Sequence, residues 1–197
     1  LLTFTLSFSF VFVAGCSDSK PDYSEFYKPQ PGDEPEEPVN PGLDDNQLKV
    51  MSFNIRYSSG DDGANSWDNR KQAVPAMFAD QQPTVLGVQE ARLDQKTYMD
   101  ENCAGYKSVG VGRTDGQNAG EFMAIYYLAD AVKLEKWGTF WLSDTPDTPS
   151  IGWDASTYRT ATWAVFTHYK SGRKFFYVNT HIDHVGPVSY THLTLPT

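Results

Sequence analysis

The sequence predicts an α/β fold in which a mixed β-sheet packs on a second sheet and helices cover the outside. Apolar strand patterns alternate with helical patterns in the first part of the folded body, and from residue 106 onward strand patterns follow one another directly. Apolar residues make up 40% of the chain and aromatic residues 14%, which supplies a core for such layers. A length of 197 residues accommodates one domain with extensions.

Two strands and a helix open the body. Residues 48–54 (LKVMSFN) alternate and then turn apolar, as a buried strand does, and residues 84–90 (TVLGVQE) form a second buried strand. Between them, Ser66 is placed to cap a helix that begins near Trp67. Pro75 should kink or restart that helix, because proline lacks the N–H that a helix interior requires.

The rest of the body is mostly strands. A short helix over residues 94–101 precedes them, and Ser171-Gly172 predicts a tight hairpin between the last two. The predicted strands cover residues 107–112, 121–128, 132–142, 160–170 and 173–183.

Charge and cysteine content exclude several classes of protein. A net charge of −9 and a pI near 4.8 argue against a broad basic face that wraps nucleic-acid phosphates. Two cysteines exclude a disulfide-dense scaffold and a Cys₄ zinc site. The acidity is concentrated in residues 17–47, which carry −7, whereas residues 48–197 carry only −2. A local cationic site for phosphate is therefore compatible with the body.

The N-terminal segment resembles a bacterial lipoprotein signal. Residues 1–13 are apolar but too short to span a bilayer as a helix, and they lead into Val13-Ala14-Gly15-Cys16. We predict a signal peptide over residues 1–16, lipidation of Cys16, and an envelope location at the periplasmic or outer-membrane surface. The alternative is a buried strand that happens to end in cysteine.

Residues 17–47 are predicted to be a disordered tether. They contain six prolines and nine acidic residues, so they cannot bury enough apolar surface to offset the entropy of ordering. Such a segment would hold the body away from the membrane. The thiol left in the body, Cys103, is expected to be buried and inert.

Several apolar strands end in polar residues for which the strand pattern gives no reason. Strand ends from one sheet can converge on a single rim, where a carboxylate can hold Mg²⁺ and an arginine can bind phosphate oxygens. Each candidate also has a structural alternative: Asn54 as a turn residue, Glu90 in a solvated loop, His181 in the core, Glu121 as an exposed strand start and Arg159 in an ordinary ion pair.

Five stretches in this order resemble the endonuclease/exonuclease/phosphatase superfamily, which includes deoxyribonucleases, abasic-site endonucleases, inositol polyphosphate 5-phosphatases and sphingomyelinases. They are MSFNIRY, LGVQE, GEFMAIYY, YRTATWAVF and NTHIDHVG. Two further stretches, WLSDTPD and GWDA, resemble a secreted or lipid-anchored bacterial branch. The resemblance covers about residues 48–186 and implies a deoxyribonuclease I-like four-layer α-β-β-α sandwich.

The resemblance also implies roles for residues of the matching motifs. Glu90 matches the carboxylate that binds the essential Mg²⁺ or Mn²⁺, and Asn54 matches the amide beside that metal, with a catalytic role. His181 matches the catalytic histidine that contacts the scissile phosphate. Glu121 matches the acid that orients this histidine, and Arg159 matches an arginine on the phosphate side.

The family's second half is expected to be missing from this chain. Its Gly-Asp-x-Asn and Ser-Asp-His strings do not occur, no Ile-Asp-His string follows the one at residues 182–184, and the match stops near Gly186. We therefore expect residues 48–186 to be a partial domain, about the N-terminal half to two-thirds of the fold. We expect residues 187–197 to be a non-native tail, and this chain to be inactive although its parent is a hydrolase, because the groups for proton transfer are lacking.

The resulting functional hypothesis is a metal-dependent phosphoester hydrolase of the cell envelope, in which water attacks phosphorus in line. Its substrate would be a nucleic acid, a phospholipid head group or a sugar phosphate, and the protein would be a monomer tethered to the membrane. The competing hypothesis is a non-catalytic envelope lipoprotein that keeps the fold and binds a partner. A third is a fragment without function.

Overall fold

The computed structural model describes residues 47–183 and 185–188. The predicted signal peptide with Cys16, the predicted tether up to residue 46, His184 and residues 189–197 lie outside the described residues. No helix in the described part of the chain is both long and apolar enough to cross a membrane.

A first sheet has four strands in the order β1-β2-β4-β3. Strands β1 and β2 are parallel, whereas β4 runs antiparallel to both β2 and β3. The strands are β1 (Val50–Asn54), β2 (Val85–Ala91), β3 (Tyr106–Val109) and β4 (Phe122–Leu128). Each overlaps a strand that the apolar pattern predicts.

A second sheet has three antiparallel strands in sequence order. They are β5 (Val132–Trp141), β6 (Thr160–His168) and β7 (Lys174–Thr180). The hairpin between β6 and β7 turns at Ser171-Gly172, as the sequence predicts, and Gly172 takes the positive φ of 67° that glycine tolerates at no steric cost.

Three helices precede or follow β2: α1 (Trp67–Arg70), α2 (Ala73–Gln81) and α3 (Leu93–Asn102). Pro75 lies in the first turn of α2, which confirms that the helical segment restarts there. The prediction that Ser66 caps the first helix is wrong in one respect. Ser66 directly precedes α1, but its side chain makes no capping hydrogen bond.

The helices pack on one face of the first sheet. Phe78 of α2 and Met99 of α3 lie against Leu86 and Tyr126 of the strands, and all four are almost completely buried. Cys103 belongs to the same cluster, which confirms that its thiol is buried. Burial of this apolar area is the main force that holds the helices to the sheet.

The other face of the first sheet packs on the second sheet. Val85 and Ile125 meet Ala164 and Phe166 in a second core between the sheets. The described residues thus form three of the expected four layers, in the order helices, sheet, sheet. No helix of the described part covers the outer face of the second sheet, where Phe176 is 62% exposed.

Candidate active site

Asn54 and Glu90 meet at the carboxyl ends of the parallel strands β1 and β2. Nδ2 of Asn54 donates to Oε1 of Glu90 at 2.8 Å, and the backbone N–H of Tyr57 donates to Oε2 of Glu90 at 3.3 Å. The parallel register places Asn54 opposite Gln89, the neighbour of Glu90. The structure therefore brings together the two residues that the sequence assigns to a metal site.

A β-bulge in β2 sets the direction of Glu90. Val88 pairs with Ala124, and beyond the bulge Ala91 pairs with Phe122, so β2 contains one more residue than β4 over this interval. Glu90 has a φ of 64°, in the left-handed region, which costs a non-glycine residue about 1–2 kcal/mol. Bulges re-aim side chains, and strained backbone is often found at functional sites.

The oxygen atoms of Glu90 and Asn54 suit a hard divalent cation. Oδ1 of Asn54 accepts a hydrogen bond from the backbone N–H of Arg56 at 2.9 Å, which fixes the amide orientation. No group of three or more His, Cys, Asp and Glu side chains converges within the described residues. One carboxylate and one amide oxygen match Mg²⁺, which keeps several waters and binds substrate phosphate, better than a closed zinc site.

A buried pair of amides joins the end of β2 to the end of β7. Nε2 of Gln89 donates to Oδ1 of Asn179 at 2.6 Å across the interface between the two sheets. Glu90 is the next residue after Gln89, and His181 is two residues after Asn179. The contact therefore places the strand ends that carry Glu90 and His181 on the same rim.

Arg159 and Asp183 flank His181 as a buried ion pair. Nε and Nη2 of Arg159 donate to Oδ1 of Asp183 at 3.0 and 2.9 Å, and Nη1 donates to the backbone carbonyl of His181 at 3.4 Å. The two side chains are 6% and 0% exposed. The contacts of Arg159 thus hold the backbone of His181. Its predicted role in phosphate binding stays a prediction.

Hydrogen bonds keep Asp183 ionised although it is buried. Burial alone would raise the pKa of this carboxyl, but the backbone N–H groups of Gly186 and Val185 and the side chains of Arg159 and Ser156 donate to it. Together they hold the pKa of Asp183 well below its ordinary value. The ionised carboxylate of Asp183 therefore holds the segment that carries His181 in place.

Glu121 is buried beside Arg113, directly before β4. Nη1 of Arg113 lies 2.8 Å from Oε2 of Glu121, and both side chains are largely buried. Burial lowers the pKa of Arg113, Glu121 opposes that effect, and the charges of Arg159, Arg92 and Glu90 also act on it. The predicted role of Glu121 in orienting His181 stays a prediction.

Sequence reasoning assigned no role to Asn179 or Arg113. Asn179 had a usable signal, since it is a polar residue at an inward-facing position of an apolar strand. Arg113 lies in a glycine-rich loop that lacks the pattern of a nucleotide-binding loop. Only the fold brings its guanidinium to Glu121.

Solved structures with this fold are similar to the chain in sequence. A mannosyl-6-phosphatase from Bacteroides thetaiotaomicron VPI-5482 is 39% identical, with a TM-score of 0.70, over 73% of this chain and 54% of that one. An endonuclease/exonuclease/phosphatase from Bacteroides vulgatus is 38% identical, also with a TM-score of 0.70, over 72% of this chain and 55% of that one.

A more distant relative is an uncharacterized protein, L388, of Acanthamoeba polyphaga mimivirus. It is 26% identical over 146 residues, which are 69% of this chain and 54% of that protein. No protein-family model matches the chain. The chain spans about half the length of the relatives that it matches.

The two-sheet fold of the described residues agrees with these neighbours over almost three quarters of the chain. The sequence motifs that carry Asn54, Glu90 and His181 stand at the ends of its strands. The chain belongs to the endonuclease/exonuclease/phosphatase superfamily.

Proposed function

We propose that the whole protein is a metal-dependent phosphoester hydrolase. The observation that carries this proposal is the contact of 2.8 Å between Asn54 and Glu90 at the ends of two parallel strands. It places the carboxylate of Glu90, which can bind a divalent cation, beside the amide of Asn54 at one edge of the sheet, next to the strand end that leads to His181. The similarity to a mannosyl-6-phosphatase supports a phosphoester as the substrate.

Glu90 and Asn54 are the residues that would hold Mg²⁺ or Mn²⁺. A divalent cation bound there supplies positive charge to a phosphoryl oxygen and to the leaving oxygen. The bulge at Glu90 and the N–H groups of Arg56 and Tyr57 fix these two side chains in advance. Such preorganisation removes a reorganisation cost from the reaction.

The reaction would be in-line attack of water on phosphorus. The water oxygen forms the new P–O bond, the ester P–O bond breaks, and the proton that water loses is balanced by the one that the leaving oxygen gains. His181 would donate a hydrogen bond to a phosphate oxygen. Arg159 would act on the same side through the backbone carbonyl of His181 that it holds.

A phosphorylated sugar is the substrate class that we place first. A relative with 39% identity is a mannosyl-6-phosphatase, and the nearly neutral body offers no broad basic face for duplex DNA. Phospholipid head groups and nucleic acids are the other members of the substrate panel.

We further propose that Cys16 carries a lipid anchor and that the protein is a monomer at the bacterial envelope. The support is the sequence Val13-Ala14-Gly15-Cys16 after an apolar run, followed by the acidic, proline-rich segment. Metabolic labelling with a fatty acid, compared between the unmodified protein and a Cys16→Ser variant, tests the anchor.

Direct metal binding tests the site. We expect Mn²⁺ to bind the 197-residue chain, and Glu90→Gln to weaken that binding by about 10- to 100-fold, the usual effect of disturbing a metal's ligand environment. Glu101→Gln, a change at an exposed glutamate of α3, is the matched control and should leave the affinity unchanged. Equal Mn²⁺ affinity in all three proteins would contradict the proposed site.

Turnover tests the activity. The whole protein is assayed on sugar phosphates, phospholipid head groups and nucleic acids with Mg²⁺, with Mn²⁺ and with EDTA. We expect hydrolysis of at least one class that EDTA abolishes and Glu90→Gln strongly reduces. Ligand binding without hydrolysis of any class would favour the alternative of a non-catalytic envelope lipoprotein.

A further inference from the structure

We propose that Asn179, together with Gln89, is a positioning residue that fixes His181 relative to the metal ligand Glu90. This inference rests on the proposed function, because it assigns a structural cause to the distance between the two parts of that site. Asn179 acts through other residues and is not itself catalytic, since it is 4% exposed and its amide is fully engaged with protein groups.

Asn179 uses both ends of its amide to bind the first sheet. Its Oδ1 accepts from Nε2 of Gln89 at 2.6 Å. Its Nδ2 donates to the backbone carbonyls of Val88 at 2.8 Å and of Ala124 at 2.9 Å. A single side chain of β7 is thus joined to both β2 and β4, and every one of these bonds is buried, where an unpaired amide is costly.

The bonds lie at the place where the ladder between β2 and β4 is interrupted. Val88 and Ala124 are the last regular pair before the bulge that contains Glu90. Bulged residues leave ladder groups without strand partners, and Asn179 supplies donors to carbonyls at this point. The side chain that links the sheets therefore also supports the irregular backbone that presents Glu90.

A glycine in the strand makes this approach possible. A Cβ at Gly87 would lie 2.7 Å from Cγ and Oδ1 of Asn179 and 2.7 Å from the hydroxyl of Tyr177. Glycine weakens a strand interior and often marks a site of close approach. The absence of a side chain at Gly87, in the middle of β2, therefore leaves room for the close approach of Asn179 next to the candidate site.

A second hydrogen bond between the sheets provides a comparison. The hydroxyl of Tyr177 donates to the backbone carbonyl of Met51 at 2.9 Å. Tyr177 lies on the same face of β7 as Asn179 but two residues farther from His181. Removing this bond eliminates one hydrogen bond between the sheets. It leaves intact the bond between Gln89 and Asn179, which is closer to the candidate site.

The test measures the position of His181 relative to bound metal. The chain is labelled with ¹³C in its histidine rings, the His181 signal is assigned with His181→Gln, and Mn²⁺ is titrated in. Paramagnetic broadening falls steeply with distance, so it reports the approach of this ring to the metal. The variants are Asn179→Ala, Gln89→Ala and Tyr177→Phe, and Gln89→Ala keeps the test valid if Asn179→Ala fails to fold.

We expect Mn²⁺ to broaden the His181 signal in the unmodified chain and in Tyr177→Phe, and to broaden it clearly less in Gln89→Ala and Asn179→Ala. Mn²⁺ affinity should fall far less than in Glu90→Gln, because Glu90 and Asn54 both belong to the first sheet and keep their own contacts. In the whole protein, Gln89→Ala should lower kcat by about 100-fold with little change in KM, as a displacement of about 1 Å can do.

Three results would overturn the inference, and they differ from one another. If Mn²⁺ binds and broadens His181 equally in all variants, the positioning role is wrong while the proposed metal site stands. If Mn²⁺ does not bind the unmodified chain, both the positioning role and the proposed function fail. A loss of Mn²⁺ affinity that parallels a loss of stability in Gln89→Ala would show a merely structural role and would also overturn it.

Discussion

Arg159 directs two of its nitrogens to a single oxygen of Asp183, in a pair that solvent hardly reaches. The same guanidinium donates to the backbone carbonyl of His181. The sequence motifs predict an arginine whose fork faces a phosphate. The structure shows that much of this fork is engaged with the protein, at the base of the segment that carries the candidate catalytic histidine.

Asp183→Asn should destabilise the protein strongly. The substitution leaves the buried guanidinium of Arg159 without its counter-charge, and breaking a buried ion pair in this way costs about 3–5 kcal/mol. Urea unfolding at pH 7 measures the change in the free energy of unfolding. Asp144→Asn, at an exposed aspartate, is the control and should change it little. A decrease in the free energy of unfolding no larger than that of Asp144→Asn would show that the ion pair contributes little to stability.

Asp183 should also make stability depend on acid. Its pKa is lower in the folded protein than in the unfolded chain, so its contribution is fully present above the unfolded value, about 3.9. The contribution is lost as pH falls below that value toward the folded pKa, because protonation then favours the unfolded chain. Urea unfolding is measured from about pH 6 to about pH 2, a range that includes the unfolded value of about 3.9. The free energy of unfolding should fall more steeply with decreasing pH in the unmodified protein than in Asp183→Asn.

Glu90→Gly should be more stable than Glu90→Ala. Both variants lose the carboxylate, but only alanine retains the Cβ that strains the left-handed backbone at φ 64°. The difference should be about 1 kcal/mol after allowance for the greater freedom of glycine in the unfolded chain. The comparison of glycine and alanine at Thr97, an exposed position of α3, should have the opposite sign, because glycine disfavours helices.

Gly87→Ala should disturb the contact between the sheets. The added methyl group would overlap Asn179 and the hydroxyl of Tyr177, and overpacking of this kind costs about 1–3 kcal/mol. In an Asn179→Ala background the same substitution should cost less, because one of the two obstacles is gone. Thermal unfolding of the four proteins of this cycle measures the coupling. Additive effects would show that the two positions are not in contact.

Cys103 should resist thiol reagents in the folded protein. Burial, with a smaller contribution from the charge of Asp100, raises the pKa of its thiol to about 12, and the thiolate is the reactive form. In a Cys16→Ser variant, labelling at pH 8, below the ordinary thiol value of about 8.5, should be slow until denaturant is added. Rapid labelling of the folded chain would contradict the position of Cys103 in the core.

The fold could be predicted from the sequence where the signal is local. Apolar runs and alternation located every strand of both sheets, and Pro75 marked the start of α2. The predicted strand boundaries were less accurate where a strand leads into a turn. The strand predicted over residues 107–112 ends at Val109, where Gly110 takes a φ of 134° that favours glycine, and pairing with β4 resumes only as an isolated bridge between Gly112 and Phe122. The capping bond expected from Ser66 does not form.

The sequence by itself determined which residues form strands and which strand ends carry polar side chains, because these depend on short-range periodicity. It also placed Asn54, Glu90 and His181 in recognisable motifs. The tertiary structure alone decided that Gln89 reaches Asn179, 90 residues away, and that a bulge turns Glu90 toward Asn54. Those outcomes depend on how two sheets pack and on backbone strain, for which no pattern of neighbouring residues provides the information.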